Sequence, residues 1–294
     1  MKKLILLTAF ALIGLSASAQ QEENDYLPDG ILTLEWRFNP FDYEGKPKRM
    51  AEFNARMFLD AKDVIRLGIG FGFDRDKDEK NSNKDTRAAD AKNYDVDRTS
   101  TTTINKETTL KIALGYEYHF ANTGRLDFYV GAEAGYLGRF YNATKETSIN
   151  TTNVTTSGST TSTATVNEWT NYDYKKSNAD RTKFNENGIT ASIFTGIDFY
   201  VYKKLYIGAE LGITFNTGKK ANGTYTKEDG RIASSNGTQT DNWTEKFSSE
   251  TGATLRIDNL TKTYRTTVND YAVDNSGKFT KLYIEPAIRI GWMF

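Results

Sequence analysis

The segment Asp74-Arg75-Asp76-Lys77-Asp78 places carboxylates at alternate positions, which is the spacing of a calcium-binding loop. In such a loop the sixth position is glycine and the twelfth is a bidentate glutamate. Here Glu79 and Asp85 stand at those positions, and the interleaved Arg75 and Lys77 reduce the negative charge. A solvated charged segment is therefore the favoured interpretation, and we predict no metal site.

His119 is the single histidine of the chain, so it is the only imidazole that could serve a catalytic triad. The sequence places no strand serine beside it, and a structural hydrogen bond is the better interpretation. There is no cysteine, which excludes disulfides, thiolate catalysis and cysteine-ligated zinc. The glycines of 68–72 lack the spacing of a dinucleotide-binding loop. We predict no catalytic residue, no cofactor and no enzymatic activity.

Composition favours an all-β protein without membrane helices. The 294 residues have a mean hydropathy of -0.61, whereas each membrane helix needs about 20 mostly apolar residues in a row. Basic and acidic residues number 38 each, so no positive excess is available to bind nucleic acid. Aromatic residues make up 13% of the chain and prolines number only 4, as expected of strands.

The first residues have the pattern of an export signal. Met1-Lys2-Lys3 supplies positive charge, an apolar stretch over 4–15 follows, and Ser16-Ala17-Ser18-Ala19 supplies the small residues that signal peptidase accepts. We expect cleavage after Ala19. The predicted organisation is a signal peptide over 1–19 and a single domain over 20–294.

Beyond residue 28, apolar residues recur at every second position, which is the period of a β-strand. The alternation defines eight segments: 32–38, 51–59, 65–73, 110–120, 126–136, 189–199, 205–215 and 282–294. Short connections at 60–63, 121–124 and 201–204 alternate with long ones at about 39–50, 74–107, 142–187 and 217–279. The three longest are rich in Thr, Ser, Asn and charge, and we predict loops that do not order themselves.

The apolar face of these segments carries aromatic residues towards its ends and aliphatic residues between them. Two aromatic girdles around an aliphatic band are typical of a strand that crosses a bilayer. A soluble lipocalin-type barrel also has eight strands, but it has no reason for this banding. The predicted girdle residues are Trp36, Phe38, Phe71, Phe73, Tyr118, Phe120, Phe128, Tyr136, Phe199, Phe215 and Trp292.

The opposite face carries nearly equal numbers of acids and bases together with many glycines, which favours charges that pair inside a narrow barrel. Antiparallel pairing through 121–124 predicts Lys111 opposite Glu133, and Arg56 and Arg66 near acids such as Glu52, Glu35 or Glu285. The predicted lumen charge network is Glu35, Arg37, Glu52, Arg56, Arg66, Lys111, Glu117, Glu133, Arg139, Glu210, Glu285 and Arg289.

With its export signal, eight alternating segments and terminal Trp292-Met293-Phe294, the chain resembles the small outer-membrane β-barrel family of the OmpA/OmpX type. The resemblance covers the strands and not the loops, and no peptidoglycan-binding domain follows the barrel. It implies an eight-stranded antiparallel transmembrane barrel, short periplasmic turns, long extracellular loops and both termini in the periplasm. It also implies that Phe294 is read by the barrel-assembly machinery of a Gram-negative bacterium.

Fold does not choose among the functions of this family. A structural or surface-binding role through the long loops is the favoured hypothesis. A small pore is the alternative, although eight strands leave an interior just wide enough for side chains to fill. A lipid-modifying enzyme comes third. The expected partners are outer-membrane lipid and lipopolysaccharide, the assembly machinery and an extracellular ligand, and no nucleic acid is expected.

Overall fold

The computed structural model describes residues 32–39, 51–86, 92–202, 204–268 and 277–294. The predicted signal peptide and most of the 39–50 connection lie outside these residues. Within them the protein is all-β, with thirteen antiparallel strands in one sheet. The described part of the chain contains no helix able to cross a membrane. The strands are β1 (Leu32–Phe38), β2 (Ala51–Phe58), β3 (Asp63–Asp85), β4 (Tyr94–Thr123), β5 (Leu126–Ser157), β6 (Thr160–Lys175), β7 (Glu186–Tyr202), β8 (Leu205–Lys220), β9 (Thr224–Ser235), β10 (Thr238–Ser248), β11 (Ala253–Asp258), β12 (Thr263–Val268) and β13 (Gly277–Met293).

Eight of the strands pair in a cycle, which we call the strand ring. Starting from β5, the hydrogen-bonded neighbours run β4, β3, β2, β1, β13, β8 and β7, and β7 pairs with β5 again. These eight strands contain the eight segments that alternation predicts, except for their end residues Leu59 and Phe294. One end of the strand ring, the short-turn end, carries the connections from β2 to β3, from β4 to β5 and from β7 to β8. The carboxyl terminus also lies there, because Phe294 N donates to Leu32 O at 2.8 Å.

The remaining strands extend the sheet beyond the opposite end of the strand ring. β5 changes partner along its length: 126–139 pairs with β7, and 142–157 pairs with β6. From β6 the sheet continues through β9, β10, β11 and β12. Together with the distal parts of β3, β4 and β5, these strands form what we call the extension sheet.

The extension sheet places β-strands in the segments that the sequence predicts as long loops, at 74–107, 142–187 and 217–279. β3 and β4 remain paired from Phe73 and Thr108 out to Asp85 and Val96, and the other two connections contain β6 and β9–β12. Composition predicted too little burial for these segments to order alone. Each segment instead pairs its backbone with a neighbouring strand. Threonine-rich sequence also has a high β-propensity. The described residues therefore contain thirteen strands, eight in the strand ring and five beyond it.

Alternation determines which side chains the strand ring encloses. In β1, Leu32, Leu34 and Trp36 are exposed, whereas the intervening Thr33 and Glu35 are buried. The same division holds for most side chains around the strand ring, with apolar side chains outside and polar side chains inside; Phe194, which is buried inside, is an exception. At the short-turn end an apolar cluster also lies inside, formed by Phe58, Val64, Tyr200, Tyr206 and Met293.

Candidate functional site

The enclosed side of the strand ring carries the largest concentration of charge in the described residues. Each of the twelve side chains predicted for the lumen network is at most 7% exposed. Isolated buried charges are costly unless they pair and form hydrogen bonds. The partners of each group therefore decide what this interior can do.

Arg66 lies at the centre of the enclosed cluster. Its Nη1 donates to Glu117 Oε1 at 3.1 Å and to Glu210 Oε2 at 2.7 Å, and its Nη2 donates to Glu133 Oε2 at 2.5 Å. These three acids come from β4, β8 and β5, whereas Arg66 is on β3. The guanidinium also lies over the Phe194 ring, 4.0 Å from its centroid. One side chain thus connects strands on opposite sides of the strand ring.

A second group lies nearer the short-turn end. Arg56 Nε donates to Glu117 Oε2 at 2.8 Å, and its Nη1 donates to Asp198 Oδ2 at 2.9 Å. Arg289 donates to the other oxygen of Asp198 and lies 3.3 Å from Glu35 Oε2. Asp198 therefore bridges two guanidinium groups.

The third group lies towards the extension sheet. Arg37 Nη1 donates to Glu52 Oε2 at 3.0 Å, and Arg37 Nη2 lies 3.0 Å from Glu210 Oε1. Lys111 Nζ donates to Glu52 at 3.0 Å and to Glu133 at 2.6 Å. These contacts join the third group to the acids around Arg66, so the charges form one continuous network.

The last ion pairs lie where the strand ring meets the extension sheet. Arg139 Nη1 donates to Glu186 Oε2 at 2.9 Å, and Lys281 Nζ lies 3.0 Å from both oxygens of the same carboxylate. Glu186 falls in the 142–187 connection and was missed by the sequence prediction. Its signal was the continuation of the alternating pattern from Thr190 and Gly188 back to residue 186.

Carboxylates outnumber cationic side chains inside the strand ring, and neutral donors offset the difference. Nine buried acids face six buried Arg or Lys and His119. Tyr206 Oη and Asn54 Nδ2 each donate to Glu35 at 2.7 Å, and Thr214 Oγ1 donates to Glu285 at 2.7 Å. Hydrogen bonds to ionised groups are about twice as strong as neutral ones, so these donors stabilise the excess carboxylates.

His119 lies inside the strand ring near the short-turn end. Its Nδ1 is 2.7 Å from Asp127 Oδ2, and its Nε2 is 3.1 Å from Arg56 Nη2. The imidazole stacks on Tyr129 with ring centroids 5.3 Å apart. With both ring nitrogens engaged and the side chain buried, this geometry holds the imidazole in place and offers no open approach for a substrate.

Glycines provide the space that these long side chains occupy. A Cβ at Gly196 would overlap the Tyr129 ring, and a Cβ at Gly291 would overlap the Tyr206 ring. Both aromatic side chains are fully buried. Glycine within a strand usually marks such a close approach.

The predicted pairings of the network need correction in detail. Lys111 and Glu133 form an ion pair, but Lys111 faces Leu137 in the register and Glu133 faces Gly115. Lys111 lies four residues along β4 from Gly115, the register partner of Glu133. Because the lysine side chain is long and Gly115 has no side chain, Lys111 Nζ and the Glu133 carboxylate can still meet. Arg56 lies 3.8 Å from Glu35, as predicted, whereas its closer partners are Glu117 and Asp198. Arg66 contacts none of the acids proposed for it.

The girdle residues lie on the outer face of the strand ring. Eight of them are exposed and the other three are half-buried. The half-buried residues are Phe38, Phe128 and Phe199.

The charged segment 74–78 belongs to β3 and pairs with β4 in the extension sheet. Its neighbouring exposed charges form local ion pairs, Lys77 with Glu79 and Lys80 with Asp78. Among the described residues, no group of three acidic or histidine side chains is arranged to hold a metal ion.

Comparison with known protein families identifies residues 41–217 as a match to the model described as "Putative OmpA-OmpF-like porin family". This match covers more than half of the chain. The chain belongs to this family. It is an outer-membrane, porin-like β-barrel protein of the Gram-negative type. A search of curated proteins gives no match.

Two solved structures are similar to the chain at low identity. CarO of Acinetobacter baumannii is 12% identical with a TM-score of 0.26, and the alignment covers 92% of this chain and all of CarO. CarO2 of Acinetobacter baumannii is 11% identical with a TM-score of 0.25, and the alignment covers 90% of this chain and 98% of CarO2.

Proposed function

We propose that the protein is an eight-stranded transmembrane barrel with a closed lumen, and that it acts as a structural or surface-binding protein through its extension sheet. The paired charges inside the strand ring are the observation that carries this proposal. Eight strands enclose a space that side chains can fill. Here Arg56 and Arg289 are completely buried and Arg66 is 1% exposed, so the central guanidinium groups occupy the position that a pore would need.

The outer face of the strand ring supports insertion into lipid. Leu114, Ile193 and Ile213 are 62%, 63% and 48% exposed, which is unfavourable in water and favourable in hydrocarbon. We propose outer-membrane lipid and lipopolysaccharide as the partners of this face, with the aromatic girdles at the two interfaces.

We further propose that the short turns and both termini are periplasmic and that the extension sheet is extracellular. The protein has no cysteine, so single cysteines report their location without background. Ser157 is the exposed last residue of β5, beside the β5–β6 turn, and Asn122 is exposed at the short-turn end, so we choose Ser157→Cys and Asn122→Cys. On intact cells a membrane-impermeant maleimide should label Ser157→Cys alone. Labelling of Asn122→Cys alone would reverse the orientation.

Two proposals concern biogenesis. Export would remove residues 1–19, and sequencing the amino terminus of the protein from outer membranes should find Gln20. Phe294 would be the residue read by the barrel-assembly machinery, and Phe294→Ala should slow assembly in cells. Normal assembly of this variant would exclude that role.

Conductance in a planar bilayer tests the closed lumen. The intact chain should give no large steady conductance under conditions in which a 16-stranded porin, whose barrel leaves an aqueous channel, conducts. A large steady conductance would contradict the proposal and favour a small pore, which is the alternative that the family description supports.

An enzymatic role finds little support in the geometry. His119, the only imidazole, is 4% exposed and faces Asp127 and Arg56 inside the strand ring. We propose that the protein is not an enzyme. Lipid turnover by the purified chain that is lost in His119→Ala would contradict this.

A further inference from the structure

A tryptophan lies flat on one face of the extension sheet. Trp169 on β6 faces Gly230 on β9 in the antiparallel register. A Cβ at residue 230 would overlap the Cζ2 and Cε2 atoms of the indole, so the indole lies across the glycine. Glycine weakens a strand interior and commonly marks a site of close approach. Trp169 is half-buried, because one face of the indole covers the sheet and the other faces away from it.

A groove lies beside this indole on the same face of the sheet. It has a volume of about 630 Å³ and crosses six strands, from β5 to β12. The register aligns Glu146, Asn171, Glu228 and Lys246 in one row across β5, β6, β9 and β10. Asn171 is two residues from Trp169 along β6, which corresponds to about 7 Å. An exposed indole face and a row of hydrogen-bonding groups therefore lie side by side.

A second row of the groove adds hydroxyl and carboxylate groups. Thr144, Asp173, Thr226 and Ser248 occupy neighbouring strands one step closer to the strand ring. All four line the groove. Hydroxyl groups both donate and accept hydrogen bonds, whereas ionised carboxylates only accept them.

The charge of the groove limits the ligand chemistry. Two lysines line the groove, and both are already paired: Lys246 Nζ lies 2.9 Å from Glu228 Oε2, and Lys227 Nζ lies 2.7 Å from Asp229 Oδ2. Glu146 and Asp173 then leave a net negative charge, which disfavours an anionic polysaccharide.

A quaternary ammonium ion is recognised best by a cage of several aromatic rings. Tyr172 and Phe247 also line the groove, but the register places their side chains on the opposite face of the sheet from Asn171 and Lys246. Trp169 is therefore the aromatic ring beside the groove on this face.

We propose that this face of the extension sheet binds a neutral saccharide. The apolar C–H face of a sugar ring would stack on Trp169, because an indole offers a flat apolar surface with a polar N–H edge. Asn171, Glu146 and Asp173 would accept hydrogen bonds from sugar hydroxyls. A few polar groups beside an apolar surface are typical of small-molecule sites. The inference rests on the proposed extracellular location of the sheet and names the ligand class of its surface-binding role.

Calorimetric titration of the full chain in detergent micelles tests the assignment. The probes are maltoheptaose and chitotetraose as neutral saccharides, polygalacturonate as an anionic one, and tetramethylammonium as a cation. At least one neutral probe should bind, and neither charged probe should. Trp169→Ala should weaken that binding about tenfold or more, the loss of roughly one stacking interaction. Trp169→Phe, which keeps an aromatic ring, should retain most of the affinity.

Two further variants separate the position of the indole from folding. Gly230→Val keeps a good strand residue but forces the indole off the sheet, and it should weaken binding as Trp169→Ala does. Trp243→Ala is the matched control, because Trp243 lies on the opposite face of the same sheet, stacked with Arg256 at 4.2 Å. This control should bind as the intact chain does, and every variant should keep heat-modifiable migration on a detergent gel. Glu146→Gln, an isosteric change remote from the indole, should weaken binding by a smaller factor.

Several outcomes would overturn the inference. They are failure of both neutral probes to bind the intact chain, equal binding by Trp169→Ala, and Trp169-dependent binding of polygalacturonate or tetramethylammonium. None of these results bears on the closed barrel, which conductance tests separately. Conversely, cysteine labelling that reverses the orientation would remove the extracellular location while binding in micelles could still be measured.

Discussion

At the residue scale, Arg66 is the side chain on which most of the enclosed charge depends. Its guanidinium donates to Glu117, Glu133 and Glu210 and is 1% exposed. Removing one partner of a buried ion pair leaves the others uncompensated, which costs about 3–5 kcal/mol. We expect Arg66→Ala to lower the free energy of unfolding by this amount, measured in urea with lipid vesicles.

The matched control is Arg98→Ala, which removes an exposed arginine from the extension sheet. Exposed substitutions of this kind usually change stability by less than about 0.5 kcal/mol. Equal unfolding midpoints for the two variants would mean that the enclosed charges are solvated. Glu133→Ala, which removes one of the three acids, should destabilise in the same direction as Arg66→Ala.

A second residue prediction concerns Asp258, at the turn between β11 and β12. Its Oδ1 accepts hydrogen bonds from the backbone of Leu260 at 2.9 Å and Thr261 at 3.0 Å. These backbone donors, that of Thr261 first, hold the pKa of the Asp258 carboxyl below its ordinary value. Because the pKa is lowered in the folded state, the stabilisation is present above the unfolded pKa of about 4 and is lost as pH falls through the folded pKa.

Carboxyl NMR titration of the chain in micelles measures this pKa. Asp258 should titrate below the ordinary aspartate range, and Asp258→Ala should abolish the acid-dependent loosening of the turn. A carboxyl that titrates at or above the ordinary range would show that the two backbone hydrogen bonds do not form.

The sequence predicted the faces of these side chains better than their partners. All twelve residues assigned to the inner charge network are buried, because alternation alone decides the face of a strand. Partners such as Asp198 for Arg56 come from strands far apart in sequence. Their contact depends on the stagger between strands and on which side chain faces a glycine such as Gly115. The sequence of a single strand contains neither kind of information.

At the scale of the element, the inward-facing glycines of the strands differ in how closely neighbouring side chains approach them. A Cβ at Gly196 on β7 would overlap the Tyr129 ring, whereas at Gly212 on β8 the nearest atom is 3.3 Å away, on Phe194. Overpacking a filled interior typically costs about 1–3 kcal/mol. We expect Gly196→Ala to lose this amount in vesicle unfolding experiments, and Gly212→Ala to lose much less. Equal stability of the two variants would mean that Tyr129 has room to move.

The strands fall into two groups, those whose sequence alternates clearly between apolar and polar residues and those whose sequence does not. Segments such as 205–215 alternate apolar and polar residues without interruption, and each became a strand of the strand ring. The distal part of β4 and all of β6 carry threonine on both faces, so the sequence shows little alternation between apolar and polar residues. Their strand structure comes from cross-strand pairing with a neighbour, as between β5 and β6.

At the scale of the whole molecule, the strand ring and the extension sheet are separable in their hydrogen bonding. Each strand of the strand ring pairs with two others of the same ring, and β9–β12 contribute to none of these pairings. Furthermore, Lys220 at the end of β8 is the register partner of Gly277 at the start of β13. A short turn can therefore join them directly.

This register gives the last prediction. Replacing 221–276 with a short Asn-Gly hairpin turn should leave a barrel that keeps heat-modifiable migration on a detergent gel, because its ladder and its enclosed ion pairs remain complete. The same variant loses Glu228, Gly230 and Lys246, and so it should lose saccharide binding while its lumen stays closed in the planar bilayer. A matched variant that instead removes 221–223 should keep both properties. If the shortened chain fails to insert, the extension sheet is needed for barrel assembly, and the two parts do not fold independently.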